Sequence, residues 1–253
     1  MPTKPYYAPG SLSAAFYDVV TAADVRLAGD IGIYAELAPP GAQVLELGTG
    51  SGRVAAALAE RGFAVTGIDI ARPMLEQAKA RLGSLPADVA GRIELRLGDM
   101  TALDLKRAFD LVICPYFGLA HLPAGAAWRN AFATAARHLA DGGLAAFHLP
   151  SPAAMRQPPA DPTAPVLEQP LAGGARLRLY VRERRFREDL GRLQQVIDYV
   201  ELDRAGRELR RSSERLAYYM ADPGPPAALA GLALDRPPIP LGGVGEIWVF
   251  RKA

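Results

Sequence analysis

A chain of 253 residues, half of them apolar and 22% charged, with 29 Lys and Arg against 27 Asp and Glu, can bury a sizeable core and is not a mainly disordered polypeptide. The formal charge of +2 gives no reason to expect a nucleic-acid coat. One cysteine and three scattered histidines exclude an internal disulfide and a cysteine zinc cluster, and no metal constellation is visible.

No run approaches the roughly 18 apolar residues of a spanning helix, and the opening stretch lacks a signal-peptide core, so a cytoplasmic protein with no membrane partner is expected. In chain order, residues 11–20 and 24–37 predict two helices of an N-terminal cap, closed by Pro39-Pro40-Gly41. From Gly41 to Pro150 short apolar runs alternate with helical stretches, the pattern of a doubly wound parallel sheet. Strands are predicted at 43–47, 64–69, 93–97, 109–114 and 144–149. Helices are predicted at 53–61, 73–82 and 126–139, where apolar residues recur three and four apart. Pro73 suits a first helical turn, and Asp141-Gly142-Gly143 reads as the turn that ends the third helix.

A proline-rich loop follows, and then residues 176–186, 192–202 and 207–219 alternate as the strands of a β-meander. A helix near 226–232 and an edge strand at 246–251 complete the chain. The fold class expected is α/β: a Rossmann-like, doubly wound, mostly parallel seven-stranded sheet with a helical N-terminal cap and an inserted antiparallel β-meander. Its segments are a cap (1–40), a core (41–150), the proline-rich loop with the meander (151–219), and a helix and edge strand that return to the core (220–253).

The strongest chemical signal is Glu46-Leu47-Gly48-Thr49-Gly50-Ser51-Gly52-Arg53, a strand that runs into a glycine-rich turn and then a helix. At the carboxyl end of such a strand an open α/β sheet binds its ligand, and the glycines let the ligand approach the backbone. Arg53 stands where a dinucleotide-binding turn more often closes with Gly or Ala, which argues against a nicotinamide cofactor. Asp69 ends the next strand, placed for a ribose diol, and Gly98-Asp99-Met100 follows the third. Acidic residues on three consecutive strand ends suit a ligand with an amine, a ribose and an adenine, and would repel a pyrophosphate.

These motifs, spread over residues 41–150, resemble those of the class I S-adenosylmethionine-dependent methyltransferases, and within them the small-molecule, amino-sugar type of N-methyltransferase. The resemblance implies S-adenosylmethionine as cofactor and S-adenosylhomocysteine as product. It implies that Glu46 and the Gly48, Thr49, Gly50, Gly52 turn with Arg53 border the methionyl part, that Asp69 binds the ribose hydroxyls, and that Ile70 and Met74 flank adenine. Asp99 would meet the adenine amino group, with Met100 and Thr101 beside the ring and Pro115 and Tyr116 closing the cofactor set. Tyr116 and His121 match a stretch that faces the acceptor in such enzymes, whereas Phe117 and Gly118 stand where Ser or Asn is more usual. Tyr17 of the cap would bond the methionyl carboxylate and shield the sulfonium, serving cofactor binding and catalysis together.

His121 is the candidate acceptor-handling group because its ordinary pKa lies near neutrality, with packing beneath the loop as the structural alternative. His148 and Tyr219 are further candidates to line the acceptor site. His138 reads as a helix C-terminal cation, and Cys114 as a small buried residue. The arginines of 176–187 alternate with Leu177, Leu179 and Val181, so they read as a solvated face; an anion clamp or a homodimer contact through the meander are the functional alternatives, and RNA is the weakest. The function expected is methyl transfer to a nitrogen or oxygen of a small molecule. Aminopropyl transfer or cyclisation on the same cofactor, and a non-catalytic binding subunit, remain as alternatives.

Overall fold

In the computed structural model, which describes residues 3–158 and 161–253, the chain forms two compact units. One combines the described residues up to Val25 with Pro152–Tyr219, and the other combines Arg26–Ser151 with Met220–Ala253. The first unit opens with a short strand β1 (Lys4–Pro5) and two helices, α1 (Leu12–Ala15) and α2 (Tyr17–Ala23). The single helix predicted over 11–20 breaks at Phe16, whose φ of −112° and ψ of 18° leave the helical region. The second predicted helix shortens as well, because Gly29 at φ +93° sets the start of α3 (Asp30–Glu36) and Val25–Leu27 forms a separate 3₁₀ turn. The stretch expected as one cap is therefore shared between the two units.

The second unit continues through β2 (Gln43–Leu47), α4 (Arg53–Glu60), β3 (Ala64–Asp69), α5 (Arg72–Leu82), α6 (Ala87–Ala90), β4 (Ile93–Leu97), β5 (Phe109–Cys114), α7 (Ala126–His138) and β6 (Leu139–Pro150). Successive strand residues point to opposite faces. Val44, Val65, Leu111 and Ile113 pack with Tyr34, Val54 and Leu58 on one side, while Leu45, Ile68, Val112 and Cys114 pack with Trp128 and Phe132 on the other. Burial on both faces is why these strands read as nearly continuous apolar runs. β6 begins earlier than predicted. Leu139 already pairs with Phe109 and Leu144 with Leu111, so residues 140–143 bulge from a strand where a helix-ending turn was expected. Gly143 permits this, since a Cβ there would lie 2.9 Å from the Asp110 carbonyl oxygen.

The first unit resumes with α8 (Pro152–Met155), β7 (Leu167–Pro170) and the three meander strands β8 (Arg176–Arg187), β9 (Arg192–Leu202) and β10 (Glu208–Tyr219). Its five strands run in the order β1-β10-β9-β8-β7. Leu177, Leu179, Ile197, Tyr199 and Leu216 of one sheet face close over Leu12, Phe16 and Val20 of the N-terminal helices.

The chain ends in the second unit with α9 (Gly224–Leu229), β11 (Leu232–Leu234), β12 (Ile239–Leu241) and β13 (Gly245–Lys252). The sheet order is β11-β13-β6-β5-β2-β3-β4, and β12 also pairs with β13. The seven-strand path agrees with expectation, and β12 adds an eighth strand. β13 is not at the edge as predicted, because β6 lies on one side of it and β11 and β12 on the other. From β6 to β4 all neighbours are parallel, and the order reverses between β2 and β5. Among the described residues no helix is long and apolar enough to cross a membrane.

Candidate functional site

The reversal point is where a doubly wound sheet opens a crevice beyond its strand ends, and the glycine-rich turn sits there. Gly48, Gly50 and Gly52 hold φ of +76°, +56° and +75°, a region other residues enter only with strain. The backbone N–H groups of Gly48 and Thr49 both donate to the Ile68 carbonyl, at 2.9 and 2.8 Å, which ties the turn to β3. Thr49 Oγ1 donates to Glu46 Oε2 at 2.9 Å. Gly67 makes room for that hydroxyl, because a Cβ on Gly67 would come within 2.6 Å of it. From α5, Arg81 Nε donates to the Ser51 carbonyl at 2.9 Å and closes the turn.

Three carboxylates stand at the ends of three consecutive strands, in three different states. Glu46 is buried, and burial pushes its carboxyl up to about 8 against the lowering effects of the Thr49 hydrogen bond and the nearby Arg53. Asp69 accepts Gly50 N–H at Oδ2 (2.8 Å) and Ala71 N–H at Oδ1 (2.7 Å). Burial raises its pKa, and these backbone donors oppose the rise. Asp99 is exposed and accepts both the backbone N–H and the hydroxyl of Thr101 at 2.8 Å. Beside them lies apolar surface: Ile70 is 70% exposed and Leu97 48% exposed, where β3 and β4 end together. The Met100 Cε atom lies 3.4 Å from where a Cβ on Gly48 would stand. Met74 is 1% exposed on the inner face of α5.

Two residues that the sequence reading did not single out join the turn from α3. Asp30 is buried and grips both terminal nitrogens of Arg53, and Tyr34 is fully buried one helical turn further on. Their spacing of four residues was readable, but the residue they reach, Arg53, lies 23 positions away from Asp30.

Beyond β5, Pro115 leads into Tyr116 and Phe117, which take φ of +45° and +62°. Two adjacent non-glycine residues in the left-handed region are uncommon and mark a local constraint. Their rings stack at 5.7 Å, and the Phe117 ring lies 4.5 Å from that of the buried His148. Gly245 of β13 permits this packing, since a Cβ there would come within 2.6 Å of both His148 Nε2 and Phe117 Cε1. Gly118 begins a 3₁₀ turn that ends at His121. His121 is half-buried, and loss of hydration lowers its pKa to about 4, so the ring is neutral at physiological pH. His138 is structural, with Nε2 accepting Leu105 N–H at 2.9 Å. Burial pushes the Cys114 thiol up to about 12, which leaves it unreactive. Among the described residues no cluster of His, Cys, Asp and Glu is arranged to hold a metal ion.

Tyr17 and Tyr219 belong to the first unit. Tyr17 packs edge-on against Tyr7 at 5.7 Å, and the Arg192 guanidinium lies 6.0 Å over the Tyr219 ring. The arginines of the meander are engaged within the chain: Arg176 and Arg178 meet Glu168, Arg182 meets Asp198, and Arg187 meets Asp189. Arg184 donates to the carbonyls of Ala154, Met155 and Gln157.

A mostly parallel sheet of this order, with a glycine-rich turn and acidic strand ends at its reversal point, defines the Rossmann-like methyltransferase fold. Residues 44–143 match the family described as methyltransferase domain. The ubiquinone biosynthesis O-methyltransferase of Pseudomonas aeruginosa is 37% identical over 83 residues, which is 33% of this chain and 34% of that protein. The chain thus matches about a third of the length of this curated relative. In fold, the chain is similar to the CcbJ methyltransferase from Streptomyces caelestis, with a TM-score of 0.75, 24% identity and 98% of each chain covered. It is also similar to CalS10, an amino pentose methyltransferase from Micromonospora echinaspora solved with S-adenosylmethionine bound, with a TM-score of 0.68, 22% identity and 100% of each chain covered.

Proposed function

We propose that this chain transfers the methyl group of S-adenosylmethionine to a nitrogen or oxygen of a small-molecule acceptor. The observation that carries this reading is the set of Glu46, Asp69 and Asp99 on consecutive parallel strand ends around the glycine turn of a methyltransferase domain. The turn fits such a donor on its own terms. Gly48 leaves a cradle that a Cβ would narrow against Met100, and the Asp69 carboxylate, which accepts backbone N–H groups at both oxygens, retains lone-pair capacity for a ribose hydroxyl.

The donor, when bound, supplies an already activated methyl group on a sulfonium. The residues of the chain then divide the work. Glu46 offers a carboxyl to the amino group of the methionyl end, Asp69 holds the ribose, Ile70, Leu97 and Met100 cover adenine, and Asp99 with Thr101 borders its polar edge. Tyr116, fixed in a left-handed backbone, shapes the acceptor side. His121, kept neutral by burial, accepts a hydrogen bond from the acceptor N–H or O–H and takes its proton as the methyl leaves the donor. Alignment of donor and acceptor and exclusion of water supply most of the acceleration.

A panel of small amines and hydroxyl compounds incubated with S-adenosylmethionine tests this, with S-adenosylhomocysteine release as the readout. Release that depends on an added amine or hydroxyl compound is expected. Production of methylthioadenosine in its place would overturn methyl transfer in favour of cyclisation or transfer of the donor's amino-acid side.

A further inference from the structure

Gly118 N–H donates to the Pro115 carbonyl at 3.0 Å and closes a four-residue turn with Tyr116 and Phe117 at its centre. Both central residues have positive φ, which makes it the mirror-image class of turn that Asn and Gly ordinarily fill. A Cβ is crowded in that region, so two aromatic residues there are held against their own preference. What holds them lies beneath the turn, and all of it belongs to the second unit. The Phe117 ring is buried against the ring of buried His148, 4.5 Å away and tilted by 51°. Two glycines leave the space. A Cβ on Gly245 would come within 2.6 Å of an atom of each ring, and a Cβ on Gly118 would lie 2.9 Å from Cys114 Sγ at the end of β5. A turn of Asn and Gly would form by itself, whereas this one forms only on its anchor, so the sheet and not the loop decides where it stands.

Phe117 is also the joint between the two groups assigned to the acceptor. Its ring stacks on that of Tyr116 at an angle of 26°, and its carbonyl accepts Ala120 N–H at 2.9 Å, in the 3₁₀ turn that ends at His121. Taking methyl transfer to an acceptor beside Tyr116 and His121 as given, we infer that Phe117 is the positioning residue of the acceptor side: anchored on His148 over Gly245, it fixes Tyr116 through its ring and His121 through its backbone. His148 then acts through Phe117, as the floor of the turn. Tyr116 and His121 belong to one short stretch, so a shift of the anchor moves both together. Methyl transfer is sensitive to such a shift, because misplacement by about 1 Å can slow an aligned reaction on the order of a hundredfold.

Turnover and S-adenosylhomocysteine affinity of Phe117→Gly and Phe117→Leu test this, with the most rapidly methylated compound of the amine and hydroxyl panel as acceptor. Glycine accepts the left-handed backbone but brings no ring. Phe117→Gly should therefore bind S-adenosylhomocysteine within about twofold of the wild type and turn over roughly ten- to a hundredfold more slowly. Leucine restores apolar bulk over His148, and Phe117→Leu should recover most of the lost rate. Because Phe117 acts through the groups it positions, adding Phe117→Gly to His121→Asn should slow that variant by no more than about threefold. Undiminished turnover in Phe117→Gly, or a loss that multiplies in full with that of His121→Asn, overturns the inference, since the ring would then only pack. So does an equal loss of S-adenosylhomocysteine affinity and turnover, which would assign the turn to the donor. Should Phe117→Gly not fold, His148→Ala withdraws the floor while leaving the turn's own sequence intact, and the same cycle with His121→Asn decides between the same outcomes. Absence of S-adenosylhomocysteine release by the wild type with every compound of the panel overturns methyl transfer itself and this inference with it.

Discussion

Glu46 and His121 are shifted in opposite senses by one cause, loss of hydration, which disfavours whichever form is charged. For Glu46 the folded protein holds a proton up to about 8, whereas an unperturbed glutamate releases it near 4.5, so the folded state binds more protons in between. Stability contributed by this group is thus lost as pH rises through that window. Glu46→Gln abolishes the loss, and its melting temperature relative to wild type should rise from pH 5 to pH 8.5. An ammonium placed against Glu46 favours the carboxylate, so S-adenosylhomocysteine should bind with release of a proton at pH 7 and gain affinity up to about pH 8. Calorimetry in two buffers of different ionisation enthalpy measures that proton, and identical heats would remove Glu46 from the ammonium's side. His121 behaves in the mirror sense. Its contribution is complete above the ordinary 6.5 and is lost as pH falls toward 4. His121→Asn should lower turnover by roughly 10²- to 10⁴-fold with S-adenosylhomocysteine affinity within about twofold, and should flatten the acid limb of the stability curve. Wild-type turnover in His121→Asn would leave the acceptor's proton to another group.

Strand ends set where those side chains stand, and at β5 the setting depends on a strand more than 100 residues later. Tyr116 and Phe117 keep their left-handed backbone because the Phe117 ring lies against His148 of β6, over the bare backbone of Gly245 in β13. Gly245→Ala should cost about 1–3 kcal/mol by overpacking, and its Cβ would also crowd the Leu149 carbonyl at 2.7 Å, which cannot move aside as a side-chain tip can. Gly231→Ala, at φ +76° with open space around it, should cost only its backbone strain. Thermal melts of the two variants compare these directly, and equal losses would show that the aromatic packing gives way. The core strands β2, β3 and β5 were legible in sequence because burial on two faces writes an apolar run that local pattern can bound. The glycine turn and its three acids were legible for the same reason, as each motif is contiguous. The bulge at residues 140–143 was not, because it answers to pairing with Phe109 and Leu111 and not to any local turn preference. Asp30 and Tyr34 were hidden likewise: on α3 they read as one polar and one aromatic helix residue until α4 is brought to them.

Across the whole molecule, the meander strands were legible in sequence, but their union with the N-terminal helices was not, because residues 26–151 lie between the two segments. Glu214 of β10 shows how. It is buried, and its Oε1 accepts the backbone N–H groups of Leu12 (2.8 Å) and Ser13 (3.1 Å) and the Ser212 hydroxyl (2.7 Å). These contacts supply acceptors for the first turn of α1, which a four-residue helix cannot satisfy internally. Just beside them β1 pairs in parallel with β10, Lys4 opposite Glu214. A hydrogen bond contributes on the order of 1 kcal/mol, so the two from Leu12 and Ser13 to Glu214 help the short β1–β10 pairing hold the N-terminal segment to the meander. Glu214→Ala removes all three acceptor contacts and should speed amide exchange at Leu12, Ser13 and Ala14 by about a hundredfold or more. Amides of β2 and β5, in the other unit, should exchange as in the wild type. Glu214→Gln keeps an acceptor oxygen of the same reach and should recover part of the protection. Hydrogen exchange read residue by residue separates these outcomes. Unchanged protection of the α1 amides in Glu214→Ala would mean that the apolar contacts of Leu12 with Leu177, Leu179 and Leu216 hold the segment by themselves.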